Sequence, residues 1–312
     1  MAFLRDLFLA LSTNSAMRQF VMSFPLSRRV SRRFVAGETR EEAVAAIRKL
    51  NSQGLLVTLD VLGESVTNES EARAAKDEYL QALMAIRANG VQSHVSVKLT
   101  QMGLGINPDL ALDNVRQITA RAKEVNSFTR IDMEDSTATQ ATLNIYKHLR
   151  EEFDNVGIVI QAYLYRSEQD MHALYEMGGR VRLCKGAYKE PARVAFPMKK
   201  DVDANYIKLA EIFLQPNGNG PGSRAHLALA THDERLVEWA KARIKQNHVD
   251  PARYEFQMLY GIRSDLQRRL VAEGYPVRVY VPYGSHWYPY FMRRLAERPA
   301  NVIFLVSNLF RS

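Results

Sequence analysis

The stretch VRVYVPYGSHWYPYFMRRLAER (residues 277–298) contains the pattern from which the fold of this chain can be predicted. Its first part, VRVYV, is an apolar run typical of a strand, and a turn rich in proline, glycine and aromatic residues follows it. The remainder predicts a short helix that carries Arg293 and Arg294. A strand, a turn and a helix in this order form the repeating unit of α/β proteins.

Arg293 and Arg294 are also the first candidates for a binding site. An arginine guanidinium matches a carboxylate with two parallel hydrogen bonds and keeps its charge. Beside Tyr280, Tyr288 and Tyr290, the two groups could hold a carboxylate above an aromatic floor. Neighbouring helical residues point about 100° apart, so a joint clamp requires the ligand to lie at the helix edge. The alternative is a basic, solvated helix face.

Strand-like apolar runs recur along the chain, with amphipathic helical segments between them. The runs are Leu55–Leu59, Val95–Leu99, Thr129–Met133, Gly157–Gln161, Arg180–Cys184, Leu227–Ala230, Tyr254–Met258 and Val277–Val281. Strands that alternate with helices indicate parallel βαβ units, and eight units predict an α/β fold of the (β/α)8, TIM-like barrel type. A doubly wound sheet is disfavoured because the turn after the first run reads DVLGES, which is not a GxGxxG nucleotide turn.

The predicted organisation has two parts, an N-terminal helical segment over residues 1–50 and a catalytic barrel over residues 51–312. The start, MAFLRDLFLAL, is interrupted by Arg5 and Asp6, so it is too polar for a signal peptide and too short for a membrane span. Its apolar residues follow helical spacing and are expected to dock on the barrel, on a second subunit or on lipid. The glycine-rich stretch at 217–223 is a predicted flexible connection.

Composition narrows the classes of function. Of the 312 residues, 46% are hydrophobic, which is ordinary for a globular protein, and the net charge is +8. A basic excess suits a nucleic acid, an anionic membrane or an anionic substrate, but no motif favours nucleic acid. The single cysteine, Cys184, excludes intramolecular disulfide bonds and fits a reducing compartment. Its apolar surroundings predict a buried thiol rather than a nucleophile.

Polar side chains follow nearly every predicted strand. In barrels of this type the active site lies at the carboxyl ends of the strands. One or two such groups could be structural ion pairs, but a full ring predicts a large ligand that covers the mouth of the barrel. The members of the ring are Glu64, Lys98, Asp132, Glu134, Asp135, Gln161, Arg182, Lys185, Thr231, His232, Gln257 and Tyr280.

Three chemistries remain open from these residues alone. The sequence contains no HxH or HExxH spacing, so a metal site of that kind is not predicted. Asp132 and Glu134 would share one face of a strand, however, and could bind Mg²⁺. Lys98 and Lys185 could form Schiff bases, but fixed positive charges for an anionic ligand are the favoured interpretation. A flavin needs cations and hydrogen-bonding groups from several strand ends. Such groups occur at Gln161, Arg182, Lys185, Gly186, Ala187, Thr231 and His232.

Five motifs resemble those of bacterial proline dehydrogenases. They are IVIQAYLYRS (158–167), VRLCKGAYKEP (181–191), ATHDE (230–234), YEFQMLYGIR (254–263) and VRVYVPYG…YFMRRLAER (277–298). The resemblance is to the monofunctional form, because no aldehyde dehydrogenase domain follows the barrel. It implies a distorted (β/α)8 barrel with noncovalent FAD. It also implies that L-proline is oxidised to Δ1-pyrroline-5-carboxylate and that the electrons pass to a membrane quinone.

The resemblance implies roles at the substrate site. Lys98, Arg293 and Arg294 match the groups that hold the proline carboxylate. Glu64 matches a glutamate that pairs with the first arginine and gates the site. The residues that match the walls around the pyrrolidine ring are Ala187, Leu259, Tyr280 and Tyr290.

Other roles concern catalysis and the cofactor. Asp132 matches a catalytic aspartate that orients the site, and Arg182 is the second predicted catalytic residue, since a cation near the ring favours the anionic reduced flavin. The residues that match flavin contacts are Met133, Gln161, Arg182, Lys185, Gly186, Ala187, Thr231 and His232. No resident metal ion is expected.

The expected location is the cytoplasm, with peripheral association at the inner face of the cell membrane left open. The basic cluster of Arg28, Arg29, Arg32 and Arg33 keeps such an association possible. Two other functions stay open from the residues alone: a metal- or Schiff-base-dependent barrel hydrolase or aldolase, and a basic, non-enzymatic membrane-binding module. The sequence does not predict the oligomeric state.

Overall fold

The computed structural model describes residues 31–63, 66–216 and 221–297, and these residues form a closed barrel of eight parallel strands. The strands are β1 (Leu56–Val61), β2 (Ser93–Val97), β3 (Thr129–Ile131), β4 (Val156–Gln161), β5 (Arg180–Cys184), β6 (His226–Ala230), β7 (Tyr254–Leu259) and β8 (Val277–Tyr283). The α-helices are α1 (Arg40–Asn51), α2 (Glu69–Ala88), α3 (Pro108–Glu124), α4 (Thr139–Glu152), α5 (Ser167–Glu176), α6 (Lys199–Phe213), α7 (Glu234–Gln246), α8 (Ser264–Ala272) and α9 (Trp287–Glu297). The predicted (β/α)8 barrel is confirmed.

Strand β8 closes the barrel because it pairs on both of its edges. Tyr280 lies opposite Leu259 of β7, and Val279 lies opposite Val57 of β1. Each strand overlaps the apolar run that predicted it, but β8 continues to Tyr283. Tyr280 therefore lies in the middle of its strand and not at the end, where the sequence had placed it.

The main hydrophobic core fills the layer between the strands and the surrounding helices. Val57 and Leu59 of β1 pack there with Tyr79 and Leu83 of α2, and all four side chains are buried. Burial of a large apolar side chain contributes about 1.5–3 kcal/mol to folding. The amphipathic spacing of the helices therefore fixes which of their faces turns towards the barrel.

Local signals in the sequence set where helices begin. The Thr39 hydroxyl accepts a hydrogen bond from the Glu42 backbone N–H, and the Glu42 carboxylate accepts one from the Thr39 N–H, which forms a capping box for α1. The Asn107 side chain caps α3, whose first residue is Pro108. Asp233 caps α7 with its carboxylate.

The inside of the barrel is polar, whereas branched aliphatic side chains usually fill it. Arg182 of β5 donates a hydrogen bond to Ser96 of β2 at 3.1 Å, although these two strands are not neighbours. A contact of this kind has to cross the interior. Other buried polar residues on the strands include Thr58, Asp60, Arg130, Gln161, His226, Glu255, Gln257 and Arg278.

Helix α9 packs at the carboxyl ends of the strands and not in the main core. It contributes to a second hydrophobic cluster with Phe34 and Val35, which precede α1, Leu62, which follows β1, and Ile262, which follows β7. The α9 members of this cluster are Trp287, Tyr288, Tyr290, Phe291, Met292 and Leu295. The helix that carries the two predicted carboxylate-binding arginines is thereby held at the mouth of the barrel.

A glycine allows the segment before α1 to approach the loop after β7. Gly261 has a φ of +71°, and a Cβ atom at this position would lie 1.7 Å from the Arg33 carbonyl oxygen. A side chain here would therefore require both a strained backbone and a movement of the neighbouring chain.

The predicted amphipathic helix near the N-terminus lies in residues 1–30, outside the described residues, and so does most of the 217–223 connection. Helix α1 is the last part of the predicted 1–50 segment, and the boundary between that segment and the barrel stays a prediction. Within the described ranges, no helix combines the length and apolar character that crossing a membrane would require.

Candidate active site

Asp132 lies at the centre of the barrel mouth, directly after β3. Arg182 Nη1 donates to its Oδ1 at 2.7 Å, and the Tyr280 hydroxyl donates to its Oδ2 at 2.8 Å. The Arg182 guanidinium also lies 5.2 Å from the centre of the Tyr280 ring. Burial, followed by the charges of Asp132 and Asp60, raises the pKa of Tyr280 well above its ordinary value. The phenol therefore stays protonated and acts as a donor to the carboxylate.

Lys98 follows β2 and is held between two carboxylates. Its Nζ atom lies 2.6 Å from Asp60 Oδ1 and 3.9 Å from Asp132 Oδ2, and it donates to the Tyr280 hydroxyl at 3.4 Å. Burial lowers the pKa of Lys98, but the two carboxylates outweigh burial and the net shift is upward. A Schiff-base lysine needs a lowered pKa, so this environment favours the fixed-charge interpretation.

Asp60 was missed by the reasoning from sequence. It is fully buried in β1 and contacts both Lys98 and the Tyr79 hydroxyl, the latter at 3.4 Å. The only signal in the sequence is one acidic residue in the apolar run LVTLDV. A buried carboxylate is costly unless it is paired, so such a residue could have been expected to have a cationic partner.

The expectation that Asp132 and Glu134 share one strand face is wrong, because β3 ends at Ile131. Glu134 instead turns to the loop after β2, where its carboxylate accepts from the backbone N–H of Thr100 at 2.9 Å and from the Thr100 hydroxyl. The two carboxylates therefore lack the shared strand face on which the suggested Mg²⁺ site depended. In the part of the chain that the structure describes, no group of three or more His, Cys, Asp and Glu side chains could hold a metal ion.

Gln161, Thr231 and His232 lie at the ends of β4 and β6. Gln161 Nε2 donates to the Met133 carbonyl at 3.5 Å, whereas its Oε1 atom is buried and has no hydrogen-bond partner among the described residues. The Thr231 hydroxyl accepts from the backbone N–H of Asp233 at 3.1 Å, and His232 Nε2 accepts from the Leu259 N–H at 2.9 Å. His232 therefore orients the end of β7, where Leu259 is half-buried.

Lys185, which follows β5, lies between two carboxylates that come from different parts of the chain. Its Nζ atom is 2.6 Å from Asp203 Oδ1 and 2.9 Å from Asp233 Oδ2. Burial raises the pKa of Asp233, but hydrogen bonds from Arg235 and Lys185 lower this pKa by more than burial raises it. The net shift of the pKa is therefore downward. The sequence did not predict these partners, because Asp203 lies in α6 and Asp233 is the N-cap of α7, both far from Lys185 along the chain.

Gly186 and Ala187 form the turn that follows Lys185. Gly186 has a φ of +111°, and a Cβ atom there would come within 2.5 Å of the Tyr163 ring. Only glycine fits this position without a shift of the ring. Ala187 is exposed at the surface of the turn.

Tyr188, which was not among the predicted site residues, is 37% exposed, and charged groups from several parts of the chain act on its phenol. Burial is the main reason that the pKa of Tyr188 rises to about 12. Glu134 and Asp132 also raise it, while Lys98 and Arg293 lower it. Groups from the ends of β2 and β3 and from α9 therefore act on one phenol. Its position directly after Lys185-Gly186-Ala187 was the available signal.

The two arginines of α9 have different environments. Arg294 is only 9% exposed, and its guanidinium lies 5.0 Å from the centre of the buried Tyr290 ring. Arg293 is exposed. The solvated-face alternative therefore does not apply to Arg294, whereas a joint carboxylate clamp stays a prediction.

Two further predictions concern Glu64 and Cys184. Glu64, the predicted gate, lies outside the described residues. Cys184 is a half-buried free thiol, and burial raises its pKa to about 11. A thiol with a raised pKa is a poor nucleophile, which agrees with the structural role predicted for it.

Known proteins resemble this chain over nearly its whole length. A family model for proline dehydrogenase matches residues 43–307. The chain is 42% identical to Proline dehydrogenase 1 of Bacillus subtilis subsp. natto over 99% of both chains, and 43% identical to Proline dehydrogenase 2 of Bacillus subtilis strain 168 over 98% of both. It is 42% identical to the proline dehydrogenase of Deinococcus radiodurans over 90% of both chains. These matches confirm the resemblance seen in the five motifs.

A solved structure shares the fold. Proline utilization A (PutA) from Bdellovibrio bacteriovorus, inactivated by N-propargylglycine, superposes with a TM-score of 0.82 at 24% identity. The match covers 95% of this chain and 37% of that protein. At this identity the likeness supports the barrel fold alone.

Proposed function

This chain belongs to the proline dehydrogenase family, and we propose that it oxidises L-proline to Δ1-pyrroline-5-carboxylate with noncovalently bound FAD. The main support from the structure is the hydrogen-bonded group of Lys98, Asp132, Arg182 and Tyr280 inside the barrel mouth. Such a group offers fixed charges of both signs next to an aromatic wall. A small zwitterion such as an amino acid needs the same combination.

The residues present fit a flavin. The buried Gln161 Oε1 atom lacks a partner among the described residues, and a hydrogen-bond donor on a ligand would satisfy it. Arg182 within β5 and Lys185 directly after β5 supply cations, and Thr231 and His232 supply polar groups directly after β6. Further proposed contacts come from Met133, Gly186 and Ala187. When bound, FAD would accept the hydride that leaves the proline carbon next to nitrogen.

We assign the binding of the proline carboxylate to Lys98, Arg293 and Arg294. Three cations fix the carboxylate, and the direction of the ring follows from that anchor. Each charge-assisted hydrogen bond could contribute roughly 1.5–3 kcal/mol. The proposed walls around the ring, which exclude water and set the size of the site, are Ala187, Leu259, Tyr280 and Tyr290. Glu64 stays the proposed gate.

Asp132 and Arg182 are the proposed catalytic residues. In this oxidation a hydride would leave the carbon for FAD, the nitrogen lone pair would form the carbon–nitrogen double bond, and the N–H proton would pass to water. Asp132 would hold Arg182 and Tyr280 in place, and through them the orientation of the bound ring. Catalysis of this type rests mainly on positioning, because the correct geometry supplies most of the lowering of the barrier.

The proposed electron acceptor is a membrane quinone, and the proposed location is the cytoplasm with peripheral association at the inner face of the membrane. The family resemblance and the net charge of +8 support this proposal, because a basic surface is attracted to anionic lipid. Binding to vesicles with and without anionic lipid would test it.

The deciding experiment is the visible absorbance spectrum of the purified protein, measured anaerobically before and after L-proline is added. We expect a flavin spectrum that L-proline bleaches, and FAD that acid or heat releases intact. D-Proline serves as the control ligand, and dithionite reports how much flavin can be reduced. A colourless protein that cannot be reconstituted with FAD would overturn the proposal.

A further inference from the structure

Below the mouth, the barrel holds a buried ion pair that no role described above includes. The Arg278 Nε atom of β8 donates to both carboxylate oxygens of Glu255 in β7, at 2.9 and 3.1 Å. Arg278 also donates to the Val57 carbonyl at 2.8 Å. Both partners of the pair are less than a tenth exposed. Burial raises the pKa of Glu255, but the charge and hydrogen bond of Arg278 together with the charges of His226 and His94 outweigh burial, and the net shift is downward.

Gln257, two residues further along β7, connects this pair with the site. Its Nε2 atom donates to Glu255 Oε1, and its Oε1 atom accepts from Arg182 Nε. An ionised carboxylate can only accept hydrogen bonds, so the amide nitrogen of Gln257 has to face Glu255. The amide oxygen then has to face Arg182. The carboxylate and the guanidinium therefore impose the same direction on the amide from its two ends.

We propose that Glu255 is a positioning residue that sets the orientation of Arg182 through the Gln257 amide. The residues form a chain of hydrogen bonds from β8 through β7 to β5 and on to Asp132 after β3. We call Arg278, Glu255, Gln257, Arg182 and Asp132 the interior chain. Its consequence for catalysis rests on the proposed function, in which Arg182 faces the flavin and Asp132 orients the site.

The physical reason is that a neutral amide at position 255 could either donate to Gln257 or accept from it, whereas a carboxylate can only accept. With glutamine in place of Glu255, one of the two constraints on the Gln257 amide is lost, and the turned orientation that presents N–H groups to the Arg182 Nε–H becomes accessible. Two donors would then face each other, and Arg182 would lose an acceptor. Removal of an acceptor from a buried donor is costly, so the guanidinium would shift and its contact with Asp132 would loosen.

A simpler role for Glu255 is to neutralise Arg278, and a double-mutant cycle separates the two roles. The variants are Glu255→Gln, which keeps the shape, Gln257→Met, which keeps the volume but removes the amide, and the combination. If Glu255 acts through Gln257, the effect of Glu255→Gln on Arg182 disappears once the amide is absent. Loss of the Arg278 counter-charge would lower the melting temperature in both backgrounds.

The first measurement is independent of flavin and of activity. Crystal structures of the apoproteins would give the distance from Arg182 Nη1 to Asp132 Oδ1, which is 2.7 Å in the unchanged protein. We expect this contact to lengthen or break in Glu255→Gln, and to change no further when Glu255→Gln is added to Gln257→Met. An unchanged contact in Glu255→Gln would overturn the proposal, whatever the outcome for the proposed function.

The second measurement uses the FAD-loaded enzyme. We expect Glu255→Gln to weaken FAD binding and to lower kcat/KM for proline about tenfold, a size typical of one charge-assisted hydrogen bond. Both effects should be absent when the change is made in the Gln257→Met background. Equal losses in both backgrounds would mean that Glu255 acts only through Arg278. If the unchanged protein binds no FAD, the proposed function fails, and the crystallographic distances still decide the positioning role.

Discussion

The hydroxyl of Tyr280 donates to Asp132 Oδ2 at 2.8 Å across the mouth of the barrel, from the middle of β8 to the end of β3. The opposite oxygen of this carboxylate accepts from Arg182. The carboxylate is therefore held on both sides, and each donor comes from a strand that is not a neighbour of β3. Tyr280 consequently orders the site in addition to its proposed role as a wall.

Tyr280→Phe should separate the hydroxyl from the ring. We expect kcat/KM for L-proline to fall about ten- to a hundredfold, because a hydrogen bond to a charged acceptor contributes roughly 1.5–3 kcal/mol. Steady-state kinetics on FAD-replete protein measure this change. Tyr283→Phe is the matched control: it lies on the same strand, and its hydroxyl donates to the Glu78 carboxylate at 2.9 Å, away from the site. Equal kinetic losses in both variants would contradict a specific role for Tyr280.

Arg293 and Arg294 should differ in their effect on stability. Both alanine variants are expected to raise KM for proline without loss of FAD, because both are proposed to bind the carboxylate. Only Arg294→Ala should also lower the melting temperature, since its guanidinium is buried against Tyr290. Arg294→Lys should restore neither property fully, because an ammonium group lacks the planar fork. Arg268→Ala, at an exposed position in α8, is the control.

If Arg293→Ala leaves KM unchanged, that residue returns to the solvated-face interpretation. If both variants leave KM unchanged, the proposed carboxylate clamp is wrong. Thermal unfolding of the four variants, followed with FAD bound, separates a loss of stability from a loss of binding.

The barrel was predictable because its signal is local. Eight apolar runs at regular spacing indicate parallel strands, and each run overlaps a strand of the structure. The polar interior was only partly predictable. Asp60 looked like one acidic residue in an apolar run, and its partner Lys98 lies far along the chain. Pairings of this kind depend on strand register, which spacing along one strand does not encode.

The arginines of α9 show a second limit. Adjacent residues on a helix of this composition are compatible with a solvated face, and only the packing of α9 on Phe34, Leu62 and Ile262 buries one of them. The partners of Lys185 were missed for the same reason, because Asp203 lies in α6 and contacts Lys185 only through the tertiary structure. Tertiary contacts decide these environments, and local patterns do not report them.

Asp60→Asn should make proline binding sensitive to moderately alkaline pH. The carboxylates of Asp60 and Asp132 raise the pKa of Lys98, so its charge is retained as pH rises, until the raised pKa is passed. Without the Asp60 charge the pKa of Lys98 falls, and the cation is lost at a lower pH. KM should therefore begin to increase at a lower pH in the variant. Asp77→Asn, which removes the exposed carboxylate of an ion pair with Lys76 in α2, is the control.

A KM profile of Asp60→Asn that overlays the profile of the unchanged enzyme would rule out this coupling. The stability of the fold should change with pH in the same direction. A lysine with a raised pKa in the folded state stabilises the fold below its unfolded pKa, and this contribution is lost as pH rises through the folded pKa. The alkaline limit of thermal stability should therefore also move to lower pH in Asp60→Asn.

Acid should destabilise the fold through the buried His226. Burial is the main reason that the pKa of His226 falls from 6.5 to about 3. Below pH 6.5, His226 binds a proton in the unfolded chain but stays neutral in the folded chain. The stability that is present above pH 6.5 is therefore lost as the pH falls towards 3. Between pH 6.5 and 5 the loss should reach about 2 kcal/mol. The charged groups that act on this ring are Glu255, which raises the pKa, and Arg180, Arg130 and Arg278, which lower it.

Urea unfolding at pH 7 and at pH 5 measures this loss. In His226→Gln the difference between the two pH values should shrink, because glutamine takes up no proton. His148→Gln, at an exposed position in α4, should leave the difference unchanged. If His226→Gln keeps the full difference, another group is responsible for the acid sensitivity.

The last prediction concerns selectivity between proline and 4-hydroxyproline. The Tyr280 ring lies below the Arg182 guanidinium, and we propose that it also covers the part of the substrate ring where the extra hydroxyl would be. An apolar wall discriminates against an added hydroxyl by only ~10²-fold, so exclusion should be partial. Tyr280→Ser removes the wall and should lower the ratio of kcat/KM for proline over hydroxyproline, mainly through weaker use of proline. Tyr280→Phe keeps the wall, so its ratio should stay near that of the unchanged enzyme even though both rates fall. A ratio that stays constant in Tyr280→Ser, measured on folded and FAD-replete protein, would leave the ordering of Asp132 as the only role of this residue.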